Sequence, residues 1–189
     1  ENGDFLQRPV AAAIDAITIG KDSLNESTSS IVIGFQNTSS MGFQSLDILG
    51  GFNNTLINGN HSAIIVGRNN RIDSDFSETS PNSNLLIGGD CNRIFEGSFV
   101  NTIINGNNNI ITSSADGVTL IGSEGAIIKS KGFYGFANNL EIGEASSESI
   151  VLGPENVISA SDGKTSNKNT IIGRRINILN SGMNFAFGQ

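Results

Sequence analysis

A short phrase recurs along almost the whole chain: apolar residues, a glycine, two variable residues, usually an asparagine, and an aliphatic residue two further on. It reads Gly51-Phe52-Asn53-Asn54-Thr55-Leu56, Gly67-Arg68-Asn69-Asn70-Arg71-Ile72, Gly89-Asp90-Cys91-Asn92-Arg93-Ile94 and Gly106-Asn107-Asn108-Asn109-Ile110-Ile111. A repeat this short is one supersecondary unit, and it buries its apolar side only by stacking on its neighbours. The repeat predicts an all-β parallel solenoid, a β-roll or β-helix, of about ten two-strand coils.

The strand assignment follows from what precedes each glycine. Ile31-Val32-Ile33-Gly34, Ile64-Ile65-Val66-Gly67, Ile150-Val151-Leu152-Gly153 and Thr170-Ile171-Ile172-Gly173 are short, β-branched and bounded by Gly, Asn or Ser. That is the pattern of a buried strand rather than a helix. Gly34, Gly51, Gly67, Gly89, Gly106, Gly122, Gly153 and Gly173 are the expected turn glycines. In two copies the glycine is doubled, at Gly50-Gly51 and Gly88-Gly89, and Asn105-Gly106 takes the same place in a third. Asparagine standing for glycine points to a positive φ.

Three residues after the glycine stand Asn37, Asn54, Asn70, Asn92, Asn109, Asn138 and Asn156, with Gly125 in one copy. This interchange predicts a left-handed turn residue; stacked asparagines could also form a hydrogen-bonded ladder along the axis. Ser23 and Ile176 break the rule. Leu56, Ile72, Ile94, Ile111, Ile127, Leu140, Ile158 and Ile178 mark a second short strand with one side chain inward. A second turn is expected eight residues after the glycine, at Gly42, Gly59, Gly97 and Gly143 and at Ser114, Ser130, Ser161 and Ser181. The shortest coils leave no room for a third strand. Insertions fall after the second turn, near residues 75–82 and 161–168, so variable loops should emerge along one edge. Residues 1–16 are assigned to an N-terminal connector and 17–189 to the repeat domain. At an interstrand spacing of about 4.8 Å, ten coils make a rod about 50 Å long.

Composition narrows the partners. The 189 residues include 23 glycines and 15% charged residues, with a net charge of −7. Such a chain lacks the basic stripe that neutralises phosphates, so nucleic acid is not an expected partner. Cys91 stands alone, which leaves no intrachain disulfide and no zinc spacing. No apolar run approaches the roughly 18 residues of a membrane span, so membrane insertion is not expected. No signal peptide is visible, and a start at Glu1 is expected of a fragment or processed piece.

The strands are apolar on both sides, with Ile31 and Ile33 pointing one way and Val32 the other. One side fills the roll and the other needs a partner, which an oligomer axis supplies. On this reading Val32 or Ile65 faces the axis, and aspartate at either should dissociate the assembly.

Ser30-Ile31-Val32-Ile33-Gly34, Ser149-Ile150-Val151-Leu152-Gly153 and Ala63-Ile64-Ile65-Val66-Gly67 resemble the head repeats of trimeric autotransporter adhesins. Ile48-Leu49-Gly50-Gly51-Phe52-Asn53-Asn54-Thr55-Leu56 resembles repeats of phage and viral fibre proteins. The resemblance covers roughly residues 17–188. It implies a left-handed β-roll assembled as a parallel homotrimer, placed on a virion surface. There it would act as a structural and receptor-binding fibre module that contacts other fibre or baseplate proteins and a host-surface glycan or protein receptor. Longer, irregular coils with few alanines favour the viral version over the head of a bacterial cell-surface adhesin. An ice-binding solenoid and a polysaccharide-degrading tailspike are the further alternatives, and uneven coil lengths argue against the first.

Chemistry-bearing residues are sparse, and no enzyme, cofactor or resident metal is expected. His61, the single histidine, sits at a turn, which reads as a surface turn residue rather than a catalytic base. Asp73, Asp75 and Glu78 form an acidic loop that could take calcium and more simply is solvated. With Glu96, Asp116 and Asp162 they could line a groove for glycoside cleavage. Phe133, Tyr134 and Phe136 form an aromatic cluster that could stack on a sugar or fill the oligomer axis. Phe76, Phe95 and Phe99 flank the longest insertion. The glycosylation sequons at Asn25, Asn37, Asn53 and Asn60 are weak signals in an Asn- and Ser-rich chain.

Overall fold

The structure is a computed structural model that describes residues 9–40, 47–57, 61–73, 83–95, 100–112, 117–129, 132–136, 138–143, 148–159, 168–179 and 182–188. It is a parallel β-solenoid with no helix among the described residues. Among the described residues the chain winds between two sheets of eleven strands each. The first sheet takes the strands ahead of the glycines: Ile17–Lys21, Ile31–Phe35, Asp47–Phe52, Ala63–Ile65, Leu85–Ile87, Thr102–Ile104, Thr119–Ile121, Phe133–Phe136, Ser149–Leu152, Thr170–Gly173 and Phe185–Gly188. The second takes Val10–Ala11, Leu24–Asn25, Thr38–Ser40, Thr55–Ile57, Arg71–Asp73, Arg93–Ile94, Ile110–Ile111, Ile127–Ile128, Glu141–Ile142, Val157–Ser159 and Asn177–Leu179. It therefore begins upstream of Ile17, where Val10–Ala11 pairs with Leu24–Asn25.

Alternation along each strand sorts the side chains. Val32, Ile48, Ile64, Leu86, Ile103, Leu120, Val151 and Ile171 lie in register on the first sheet and are completely buried between the sheets. Leu56, Ile72, Ile94, Ile111, Ile128, Ile142 and Ile158 face them from the second. Val32 thus fills the interior and does not face outward, whereas Ile65 lies on the outer side of its strand. The period of two that puts Ile31 and Ile33 outside puts Val32 inside.

The asparagines are not the left-handed residues. Positive φ belongs to the residue before each one: Gln36, Asn53, Asn69, Cys91, Asn108 and Glu155, with φ of 52–59° across these six. Asn37, Asn54, Asn70, Asn92, Asn109 and Asn156 are buried and point inward. Each of the first five meets its neighbours along the axis. The Asn54 backbone N–H and Nδ2 both donate to Asn37 Oδ1, at 2.9 and 3.2 Å. Asn70 repeats this on Asn54, Asn92 on Asn70 and Asn109 on Asn92, at 3.0–3.2 Å. The ladder alternative is the one the fold uses, because a buried amide is stable only when its donors and acceptor are matched.

Two successive coils are out of phase with the written repeat. Gly122 pairs in sequence phase with Gly88 and Asn105, since its N–H donates to Ile104 O as theirs do to Ile65 O and Ile87 O. Ser123 takes the place of Gly106, and Gly125, with φ 66°, takes that of Asn108. Ala126 then stands where Asn109 stands. Asn138 and Ile127 shift out accordingly: Asn138 is exposed, Ile127 is 36% exposed, and Ile128 is the buried strand residue. Leu140 is buried, but it replaces a ladder asparagine rather than serving as a strand residue.

Turns from the first sheet to the second have two lengths. Ile33 to Thr38, Phe136 to Glu141 and Leu152 to Val157 are five apart, whereas Ile65 to Arg71, Ile87 to Arg93, Ile104 to Ile110 and Ile121 to Ile127 are six apart. The extra residue is left-handed: Gly50, Val66, Gly88, Asn105 and Gly122 all have positive φ. Asn105, at φ 51°, is the expected glycine substitute. The following glycine is needed for a second reason. A Cβ on Gly89 would lie 2.0 Å from Gly106 O, so each coil rests directly on the next coil's backbone. The return connections vary far more, as Asp73 to Leu85 against Ile57 to Ala63 shows. Of the second-turn positions read from sequence, Gly143 is described; Gly42, Gly59, Gly97, Ser114, Ser130, Ser161 and Ser181 lie outside the described residues.

Candidate functional site

Among the described residues, the outer side of the first sheet carries a long apolar row. The registers bring Ile19, Ile33, Ile65, Ile87, Ile104 and Ile121 into one row, and Phe136, Leu152, Ile172 and Phe187 form its continuation on the strands beyond. Every one is a large apolar residue. Ile19, Phe136, Leu152, Ile172 and Phe187 are exposed, and Ile33, Ile65, Ile87, Ile104 and Ile121 are half-buried. The row beside it is mixed, with Ala63, Leu85, Thr102, Thr119, Tyr134, Ile150 and Thr170. The outer side of the second sheet is mixed: its matching row holds Thr38, Thr55, Arg71, Arg93, Glu141 and Asn177 together with the apolar Leu24, Ile110, Ile127 and Val157. An apolar stripe the length of a solenoid is far beyond the scattered exposed residues of a monomeric surface.

The aromatic cluster is split by strand alternation. Phe133 is fully buried, while Tyr134 and Phe136 point out and are 56% and 54% exposed. Phe133 stands in a second inward row that the sequence reading missed. In that row the Asn101 N–H and Nδ2 donate to Asn84 Oδ1 at 3.0 and 3.2 Å, and the Asn84 N–H donates to Ser62 Oγ at 3.2 Å. Asn169 and Asn184 resume it beyond Phe133. The available signal was an Asn or Ser directly ahead of the strand, as in Asn101-Thr102-Ile103 and Asn169-Thr170-Ile171. Both rows turn apolar at the same level: Val118 and Phe133 interrupt one, Ala126 and Leu140 the other.

Gly135 explains why Phe133 fits. Glycine occupies the inward strand position that Leu120 and Val151 hold in the flanking coils. A Cβ there would meet the Phe133 ring at 2.4 Å, so the ring fills the space a side chain vacates. A shallow depression of about 330 Å³ opens beside Phe136, lined by Ile121, Gly122, Phe136, Asn138, Gly153 and Pro154. It arises where the extra turn residue ends, between the six-residue turn after Ile121 and the five-residue turn after Phe136.

The acidic candidates do not converge. Asp73 ends the strand Arg71–Asp73, and its carboxylate is held by Arg71. Asp75, Glu78, Glu96, Asp116 and Asp162, with Phe76, Phe99 and Asn60, lie outside the described residues. His61 is an exposed turn residue with φ 55°. Asn25 and Asn37 are buried, so of the described sequons Asn53 alone has an exposed asparagine.

The turn edge carries the charge. Arg68 pairs with Asp90 across adjacent coils, and its side-chain hydrogen bond pulls the Asp90 carboxyl down to about 2. Hydrogen bonds from Arg174 and Arg175 pull Glu155 down to about 2 as well. The same Asp90, accepting from the Cys91 thiol, pushes that thiol up, so Cys91 is a poor nucleophile. Earlier on this edge, Lys21 lies 5.6 Å from the Phe35 ring centre, and Phe35 stacks on Phe52 at 5.2 Å. These contacts tie coil to coil and assemble no catalytic constellation among the described residues. Compared with known proteins, the chain matches no family model and no curated protein.

Proposed function

We propose that this chain is a structural and receptor-binding fibre module of a phage or virus, a parallel homotrimer of left-handed coils whose variable edge loops meet a host-surface glycan or protein receptor. The apolar stripe on the outer side of the first sheet carries the reading. Three copies packed about an axis parallel to the solenoid would cover Ile65, Ile87, Ile104 and Ile121 along their whole length. The mixed outer side of the second sheet would then face solvent. Return connections of unequal length at one phase of the repeat suit a surface that varies its loops on a constant scaffold. Handedness, the virion setting and contacts to other fibre or baseplate proteins rest on the resemblance of the repeats.

Light scattering on the isolated chain, before and after heating, tests the assembly. The expected mass is near three times 19.8 kDa. Ile104→Asp, on the stripe, should reduce it to one chain, while Thr55→Asp, on the opposite outer face, should leave it unchanged. A wild-type mass near 19.8 kDa overturns the trimer. Glycan-array binding by the assembled form then tests the receptor role.

A further inference from the structure

We infer that the depression beside Phe136 is the socket for Tyr134 of the neighbouring copy, a contact that sets the register of the assembly. The inference rests on the homotrimer proposed above. Around a threefold axis the contacts are heterologous, so one edge of each copy's inner face meets the opposite edge of the next. Tyr134 and Phe136 are the two outward residues of one strand, Phe133–Phe136. Tyr134 stands in the row near the strand's start, and the depression opens past its end, toward Asn138 and Pro154. In a parallel trimer equivalent coils are level, so Tyr134 of one copy arrives at the depression of the next.

Size and chemistry match. A volume of about 330 Å³ accommodates a phenol ring, and the lining offers the Phe136 ring, Pro154 and Ile121 as apolar walls. A tyrosine that loses water needs a partner for its hydroxyl. Asn138 is placed to supply one. Its Oδ1 already accepts from the Glu124 N–H at 3.1 Å, while its Nδ2 has no hydrogen-bond partner among the described residues and can donate to the phenol oxygen. Among the described residues the six-residue turns end between Ile121 and Phe136, beside the depression, and the chain's single tyrosine lies at the same coil. An aliphatic stripe alone permits axial slippage by one coil; an aromatic knob with one matching hole forbids it.

Tyr134 is also its own reporter, because the chain has no tryptophan and no other tyrosine. Acrylamide quenching of its emission is measured on the assembled chain, with N-acetyltyrosinamide as the fully exposed limit. The expected quenching constant is several-fold below that limit in the trimer, and it rises toward the limit in the Ile104→Asp single chain. Asn138→Ala should leave the trimer mass intact and lower its melting temperature. Tyr134→Phe should lower it similarly, and the double variant should add little further. A trimeric mass with Tyr134 quenched near the free limit overturns the socket and leaves the trimer standing. A single-chain wild-type mass overturns both. Protection of Tyr134 that appears only on adding lactose assigns the depression to a sugar and overturns the socket.

Discussion

Asn92 shows how a chain so rich in amides folds around a dry interior. Its N–H and Nδ2 converge on Asn70 Oδ1 at 3.0 and 3.1 Å, its Oδ1 receives the same two donors from Asn109, and its Nδ2 also reaches Gly106 O. Asn92→Ala removes the acceptor of the buried Asn109 N–H, while the backbone N–H at position 92 still donates to Asn70 Oδ1 and Asn109 Nδ2 keeps Ser123 O. Leaving a buried polar group unmatched costs about 1–3 kcal/mol, and chemical denaturation should show a loss of that size; an unchanged midpoint would sink the ladder's energetic role. Val66 is the opposite case, a β-branched residue at φ 59° in a row otherwise filled by Gly50, Gly88, Asn105 and Gly122. The left-handed conformation costs an ordinary residue about 1–2 kcal/mol. Val66→Gly should therefore raise the melting temperature, and a drop would show that the valine makes an offsetting contact.

At the scale of the strand, Phe133 and Gly135 act as one unit. Gly135→Ala pushes a Cβ into the Phe133 ring, and overpacking of this kind costs about 1–3 kcal/mol. Phe133→Asn with Gly135→Val recreates the pattern of Asn101 and Ile103, so the double variant should recover most of the stability that Gly135→Ala loses. If Gly135→Ala and the wild type melt together, the ring does not fill the space over the glycine. The repeat as written in sequence did not reveal this unit, because it spans the level at which both polar rows change to apolar residues. Gly122 keeps the letter of the motif there while the backbone places it one position away, and Asn138 stands two positions ahead of the ladder place that Leu140 takes. A phase slip of one residue is invisible in a pattern built on isolated glycines and asparagines, but it reverses the side each residue faces.

For the whole molecule, coil-to-coil ion pairs on the turn edge make stability depend on acid pH. Asp90 and Glu155 are held at about 2, below their ordinary values of 3.8 and 4.5. Carboxyls depressed by folding contribute stability that is complete above about 4.5 and is lost as pH falls toward about 2. The wild type should therefore lose more melting temperature between pH 5 and pH 2 than Asp90→Asn with Glu155→Gln. High salt should narrow the gap, since both pairs are exposed. Equal pH profiles for the two proteins would remove these pairs from the account. On this scale the same periodicity that hides Val32 exposes Ile65 and its row-mates, which gives the first sheet its apolar outer row and directs three copies to a common axis in the proposed assembly.

The amino-acid sequence by itself determined the strand–turn repeat, the two-sided cross-section and the left-handed place taken by Asn105. Each of these depends on one residue and its immediate neighbours, where φ preference and a period of two act locally. The tertiary structure alone decided that the asparagines turn inward, that a second polar row passes through Asn84 and Asn101, and that Phe133 replaces a side chain missing from Gly135. It also decided which apolar residues align into one stripe. Those outcomes depend on how far one coil is displaced against the next. That displacement is set by turn lengths and by hydrogen bonds between residues about 14–22 positions apart, a separation over which no local preference of the chain operates.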